Sequence, residues 1–153
     1  MEARMKNPAL IVPGAMQALQ ALGASVTKEG LPRQMLALVH LRASQINSCA
    51  FCVDMHAKEA RKLGESEDRL YAVAVFRESP LFTDAERTAL ALTEAVTRLS
   101  DGTDVVPDAL WQEVTRHFDE NARATLVLNI ALVNLWNRLN VATKQVPGSL
   151  PKA

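Results

Sequence analysis

Charge of one sign is what this sequence most clearly lacks. Seventeen Lys and Arg balance seventeen Asp and Glu, so there is no net field to draw the chain onto phosphate backbones or anionic lipid. Neither nucleic acid nor a membrane surface is an expected partner, and the absence of mutual repulsion favours self-association. Cysteine is nearly absent: two residues, three positions apart, exclude the multi-bridge framework of a small secreted protein. Long apolar runs are missing too. The most apolar stretch, Thr125 to Trp136, is broken by Asn129 and Asn134 and is far short of a membrane span. The opening MEARMKNPALIVPG begins with an acid and offers neither a long apolar core nor a small-residue cleavage pattern, which makes it a poor signal peptide. A cytoplasmic protein is expected.

What is present is an ordinary globular composition, 48% apolar and 22% charged over 153 residues. That length suits one domain, residues 1–153. Strand-like alternation never persists, and Pro and Gly fall between apolar-periodic segments, so the expected class is all-α, with about six to seven helices. Residues 1–12 read as extended. A helix is expected from Pro13 to Gly23 with Leu19 and Leu22 on its buried face, and a second from Pro32 to about Asn47 with Leu36, Val39, Ala43 and Ile46 inward. Asn47 and Ser48 are N-cap types, and Gly64 is a natural stop, which predicts a third helix over Cys49–Leu63. Ser66 caps a fourth to about Arg77, and Thr83-Asp84-Ala85-Glu86 forms a capping box for a fifth to about Leu99. After a loop at Ser100–Val106, Pro107 opens a sixth ending near Phe118, and a seventh runs from about Glu120 to Val141.

The chemistry concentrates in Cys49-Ala50-Phe51-Cys52-Val53-Asp54-Met55-His56. Two sulfurs and an imidazole at i, i+3 and i+7 share one helix face. Cysteines one turn apart can close a disulfide, and the start of a helix favours a thiolate. His56 lies one turn beyond Cys52, placed to take its proton directly or through water. A thiolate can attack a hydroperoxide to give a sulfenic acid, which a neighbouring thiol condenses into a disulfide. Two other readings stay open on these residues. CxxC with His56 could supply three zinc ligands, completed by His40 or Asp54, or the cysteines could be small buried apolar residues without reactivity.

Residues Leu41 to His56, LRASQINSCAFCVDMH, closely resemble the core motif of the alkyl hydroperoxidase D (AhpD)-like proteins of the carboxymuconolactone decarboxylase superfamily. The segments from Phe82 to Leu92 and from Asn134 to Ala142 resemble later parts of the same family. The resemblance implies an all-helical subunit, a trimeric or hexameric homo-oligomer, and reduction of hydroperoxides without metal, haem or flavin. By the same resemblance Cys52 is the attacking thiol, Cys49 the resolving and more exposed one, and His56 the proton-relay histidine. An as yet unidentified thiol or disulfide reductant protein would reset the disulfide. Two positions depart from the pattern. The family's peroxidases carry a glutamate twelve residues before the first cysteine and a histidine just before the second, where this chain has Ala37 and Phe51. His40, one turn after Ala37, offers a substitute His40–His56 relay, or is a surface or interface histidine instead. Loss of one general-base element commonly costs about 10²-fold, so slow turnover is expected. Ser48 stands where relatives usually have glycine.

Other polar residues read as structural. His117 suits the negative end of a helix dipole, and Trp136 suits a core or interface. Asp54 points away from the dithiol face, while Arg42 and Glu59 suit pairing between helices or subunits. Asn137 and Asn140, on a mostly apolar helix, are candidates to border the site. A redox sensor or disulfide-exchange protein with little peroxidase turnover is the alternative function.

Overall fold

The computed structural model describes residues 1–26 and 30–149, and among these there are helices and no strands. In chain order they are α1 (Pro8–Ile11), α2 (Ala15–Ser25), α3 (Arg33–Ile46), α4 (Ala50–Lys62), α5 (Glu67–Ala72), α6 (Asp84–Thr97), α7 (Asp108–His117) and α8 (Glu120–Thr143). Short 3₁₀ turns follow α5 (Val73–Glu78) and α6 (Leu99–Asp101). The all-α expectation holds, and no described helix is long and apolar enough to cross a membrane.

α3 is the central element. Met35 to Val39 are buried without a break, the signature of a helix enclosed on all sides rather than amphipathic. One face joins α6, α7 and α8 around Val39, Leu92, Val114, Leu126 and Ile130. Another joins α4, α5 and α6 around Leu38, Leu41, Leu70, Phe76 and Leu90. Between the two faces Arg42 donates from its Nε to the buried Glu94 of α6 at 2.8 Å, and Arg77 also pairs with that carboxylate. The pairing expected of Arg42 is thus an inter-helix one. Burial pushes the Glu94 carboxyl up, but the two guanidiniums outweigh it and hold it below its usual range.

The local signals hold where they are strongest. Thr83 accepts from the Glu86 backbone and the Glu86 side chain accepts from the Thr83 backbone, the reciprocal box that starts α6. Gly64 stops α4 with φ +93°. Other expectations fail. Residues 1–12 are not uniformly extended: Asn7 accepts from the Ala9 backbone N–H at 2.9 Å and Pro8 occupies the first helical position of α1. Gly23 does not stop α2, which continues to Ser25, and Leu22 is 39% exposed rather than buried. Leu19 is only half-buried. The fourth predicted helix is two pieces, α5 to Ala72 and the 3₁₀ turn from Val73, which is itself kinked at Val75.

Candidate active site

The cysteines sit where α3 ends and α4 begins. Asn47 and Ser48 do not cap α4, as expected of them; they terminate α3. The Ser48 N–H donates to the Gln45 carbonyl at 3.1 Å and the Cys49 N–H to the Ser44 carbonyl at 3.0 Å, the bond pair of a Schellman motif. The residue between them must turn left-handed, and Ser48 does so at φ +52°. That geometry accounts for glycine in relatives: a serine there carries the Cβ strain that glycine avoids. Cys49 is at once the last residue of this motif and the N-cap of α4.

The turn is anchored to α8. Asn47 donates through Nδ2 to Asn134 Oδ1 and Asn137 Oδ1, both at 2.9 Å, and Asn137 donates to Ser44 Oγ at 3.0 Å. Asn134 donates to Thr97 Oγ1 at 3.0 Å. Among the described residues no buried side-chain polar atom lacks a partner. Asn137 therefore holds the scaffold and does not border the site.

Cys49 and Cys52 are joined as a disulfide with Cα atoms 5.3 Å apart. Both are enclosed, at 2% and 0% exposure, so the greater exposure expected of Cys49 amounts to almost nothing in this subunit. The free N–H groups and positive end of the α4 dipole surround them. Asn140 of α8 donates from Nδ2 to Cys52 Sγ at 3.3 Å, so this amide does border the site. The disulfide occupies both sulfurs that a zinc site would need, and among the described residues no group of three His, Cys, Asp or Glu is placed to hold a metal ion.

His56, 8% exposed, and His40 lie with ring centroids 5.0 Å apart. His40 therefore packs against His56 and is not a freely exposed surface histidine. Asn129 of α8 spends both Nδ2 hydrogens on the carbonyls of Val26 and Thr125, at 3.0 and 2.8 Å, which turns its Oδ1 toward His40 Nε2 at 3.1 Å. An acceptor at that place requires Nε2 to carry the hydrogen, leaving His40 Nδ1 bare. Burial, and then the neighbouring His56, push the His40 pKa down to about 4, so His40 is a neutral imidazole near pH 7.

Glu59 is the site residue that sequence reasoning missed. Its Oε2 lies 3.4 Å from His56 Nδ1. The hydrogen bond from His56 lowers the Glu59 carboxyl, with burial opposing. The signal was available, since His56 and Glu59 are i and i+3 on one helix, but pairing with another helix or subunit was expected instead. Asp54 behaves as expected: it faces Lys58 at 2.7 Å and the Gly148 backbone, away from the sulfurs. His117 stands in the last turn of α7, at the negative end of that helix dipole as expected, with its ring centroid 6.4 Å from that of Phe118.

A cavity of about 500 Å³ opens beside these groups. Its lining combines the apolar Met16, Phe51, Met55, Leu132 and Trp136 with the polar His40, His56, Glu59 and Asn140. Trp136 was expected in a core or interface; it lines this cavity. His40 and Glu59 also line a second cavity of about 330 Å³, together with Arg33 and Ala37. The arrangement can hold a largely apolar molecule beside the imidazoles, and a cysteine pair so placed can interconvert dithiol and disulfide.

Comparison with known proteins agrees with this architecture. Residues 13–95 match the Carboxymuconolactone decarboxylase family. The chain is 36% identical over 132 residues to the uncharacterized protein YdfG of Bacillus subtilis, covering 86% of this chain and 88% of YdfG. The crystal structure of ATU0492 from Agrobacterium tumefaciens, a protein of unknown function provisionally described as the antioxidant defence protein AhpD, superposes with a TM-score of 0.88 at 37% identity, covering 97% of this chain and all of that one. The debrominase Bmp8, in complex with 2,3,4-tribromopyrrole, shares the fold with a TM-score of 0.81 at 19% identity, covering 91% of this chain and 73% of Bmp8. The chain belongs to the carboxymuconolactone decarboxylase family, as an AhpD-like member.

Proposed function

We propose that the chain is a dithiol peroxidase that reduces organic hydroperoxides. The observation that carries the reading is the Cys49–Cys52 disulfide, with Cys52 Sγ accepting from Asn140, a residue that lines a mainly apolar cavity together with two imidazoles. In the reduced protein the Cys52 thiolate attacks the terminal peroxide oxygen. The O–O bond breaks, an alcohol leaves with one proton, and Cys52 becomes a sulfenic acid. The Cys49 thiol then displaces water, forming the disulfide. Two thiols of a reductant protein return the pair to the dithiol and are themselves oxidised to a disulfide.

His56 accepts the Cys52 proton, with Glu59 holding its Nδ1 and His40 serving as the second imidazole. Glu59 thereby supplies, from α4, a carboxylate that Ala37 cannot supply from α3. The working form is a homo-oligomer, trimer or hexamer. In support, α2 buries no residue within the subunit, and Leu22, Leu128 and Leu135 are exposed.

A redox sensor or disulfide-exchange protein is the second reading, favoured by Ala37 and Phe51 at two positions where the family's peroxidases carry relay groups. Multiple turnovers with a reductant supplied would exclude it. The direct test is intact-mass analysis of the reduced protein after one equivalent of an organic hydroperoxide, beside Cys49→Ser and Cys52→Ser. Loss of two hydrogens in the parent, with a sulfenic acid trapped only in Cys49→Ser, is expected. A parent that stays reduced refutes the dithiol chemistry, and a sulfenic acid trapped in Cys52→Ser instead reverses the roles.

A further inference from the structure

Three hydrogen bonds run in one direction from the N-terminal segment to the sulfur of Cys52. The Ala9 backbone N–H donates to Asn7 Oδ1 at 2.9 Å, and because a backbone N–H can only donate, that end of the Asn7 amide is fixed as oxygen. The other end, Nδ2, donates to Asn140 Oδ1 at 2.8 Å. The Asn140 amide is fixed in turn, and presents its Nδ2 to Cys52 Sγ at 3.3 Å. The segment is tied along the end of α8 by further bonds, from the Arg4 N–H to the Thr143 carbonyl at 2.8 Å and from Gln145 Nε2 to the Met5 carbonyl at 2.9 Å. Asn140 is 5% exposed and Cys52 is wholly buried, so no water competes freely for either group.

We infer that Asn140 is the thiolate-stabilising donor of the attacking cysteine, and that Asn7 is a positioning residue that sets which end of the Asn140 amide faces the sulfur. The inference deepens the peroxidase reading and rests on its assignment of Cys52 as the attacking thiol. An N–H aimed at sulfur favours the anion over the thiol, and hydrogen bonds to ionised groups are among the stronger ones. An amide turned the other way would place a carbonyl dipole against the anion and oppose it. The titratable groups around the adjoining cavity are His40 on α3 and His56 and Glu59 on α4, whereas α8 and the N-terminal segment contribute the uncharged Asn140 and Asn7. Removing either asparagine therefore changes the hydrogen bonding of the thiolate without changing the charge around it.

The test is a pH titration of the Cys52 thiolate by its ultraviolet absorbance in reduced protein carrying Cys49→Ser, which needs neither substrate nor access to the buried sulfur. Asn140→Leu should move the midpoint up by about one pH unit or more, the size of a charge-assisted hydrogen bond. Asn7→Ser keeps a hydroxyl able to cap α1 but is too short to hold Asn140, and should move the midpoint up by a smaller amount. Asn7→Gln keeps an amide but displaces it, and should behave like Asn7→Ser. Circular dichroism confirms that each variant is folded, and the conservative Asn7 variants carry the test should Asn140→Leu fail to fold. A midpoint unmoved in the folded variants overturns the inference. The same titration separates it from the peroxidase reading: shifted midpoints in a protein whose parent dithiol resists hydroperoxide would leave the donor role standing and remove the enzyme.

Discussion

His40 couples the site to stability, and the coupling has a definite sign. Its pKa is about 4 in the folded protein against 6.5 for an ordinary histidine, the first cause being burial and the second the charge of His56. A lowered pKa means that the unfolded chain binds this proton more readily, so stability is complete above pH 6.5 and is lost as pH falls toward about 4. Between about pH 7.5 and about pH 4.5 the two pKa values give a loss of about 2.5 kcal/mol from this residue. That figure is an upper bound, because His40 is only half-buried and water screens part of the effect. In His40→Gln the side-chain amide can still donate to Asn129, but nothing titrates. Urea unfolding of oxidised protein should show the parent losing about 1–2.5 kcal/mol more than His40→Gln across that range. Carboxylate contributions, common to both proteins, cancel in the difference. Parallel losses would refute both the burial of His40 and its assignment as a neutral imidazole.

Two further outcomes test the scaffold. Glu94→Gln removes the carboxylate that Arg42 and Arg77 share. It leaves Arg42 largely buried without its counter-charge, so urea unfolding at neutral pH should show a loss of about 3 kcal/mol. A loss under about 0.5 kcal/mol would show that the pair is solvated. Ser48→Gly puts at φ +52° a residue suited to it, and should raise stability by about 1 kcal/mol, or about 3 °C in the melting temperature; an unchanged or lower melting point would contradict the strain.

The helices were legible wherever a local signal decides the backbone. The Thr83–Glu86 box, the Gly64 stop and the Pro107 start act within a few residues of themselves, and each stands where the sequence puts it. Gly23 was misleading because a glycine needs a left-handed conformation to end a helix, and nothing demands one there: α2 continues until the Val26 N–H closes on the Leu22 carbonyl. Asn47 and Ser48 show the same ambiguity in polar form. Asn and Ser suit both ends of a helix junction, and only α8, supplying Asn134 and Asn137, decides that Asn47 belongs to the end of α3. The CxxC and both histidines could be singled out because they lie close in sequence or on adjoining helices. The Asn7–Asn140 pair could not, since a bond spanning 133 positions leaves no local pattern.

Ala37 and Glu59 show how a carboxylate in a different place changes what a pair of imidazoles can do. From α3, a glutamate at position 37 would lie one turn from His40. From α4, Glu59 engages His56 instead, taking its Nδ1, while Asn129 takes Nε2 of His40. With both rings neutral, each has committed its one hydrogen away from the other, so two bare nitrogens remain and no proton can pass between them. That block lifts only when His56 gains a second proton at Nε2, the step in which it would take the hydrogen of Cys52. On the peroxidase reading the relay is therefore closed at rest and opens only with deprotonation of the attacking thiol. His40, held a weak base by burial and committed through Nε2 to Asn129, then receives a proton only briefly and returns it through the same Nδ1, where it stays available to the departing alkoxide.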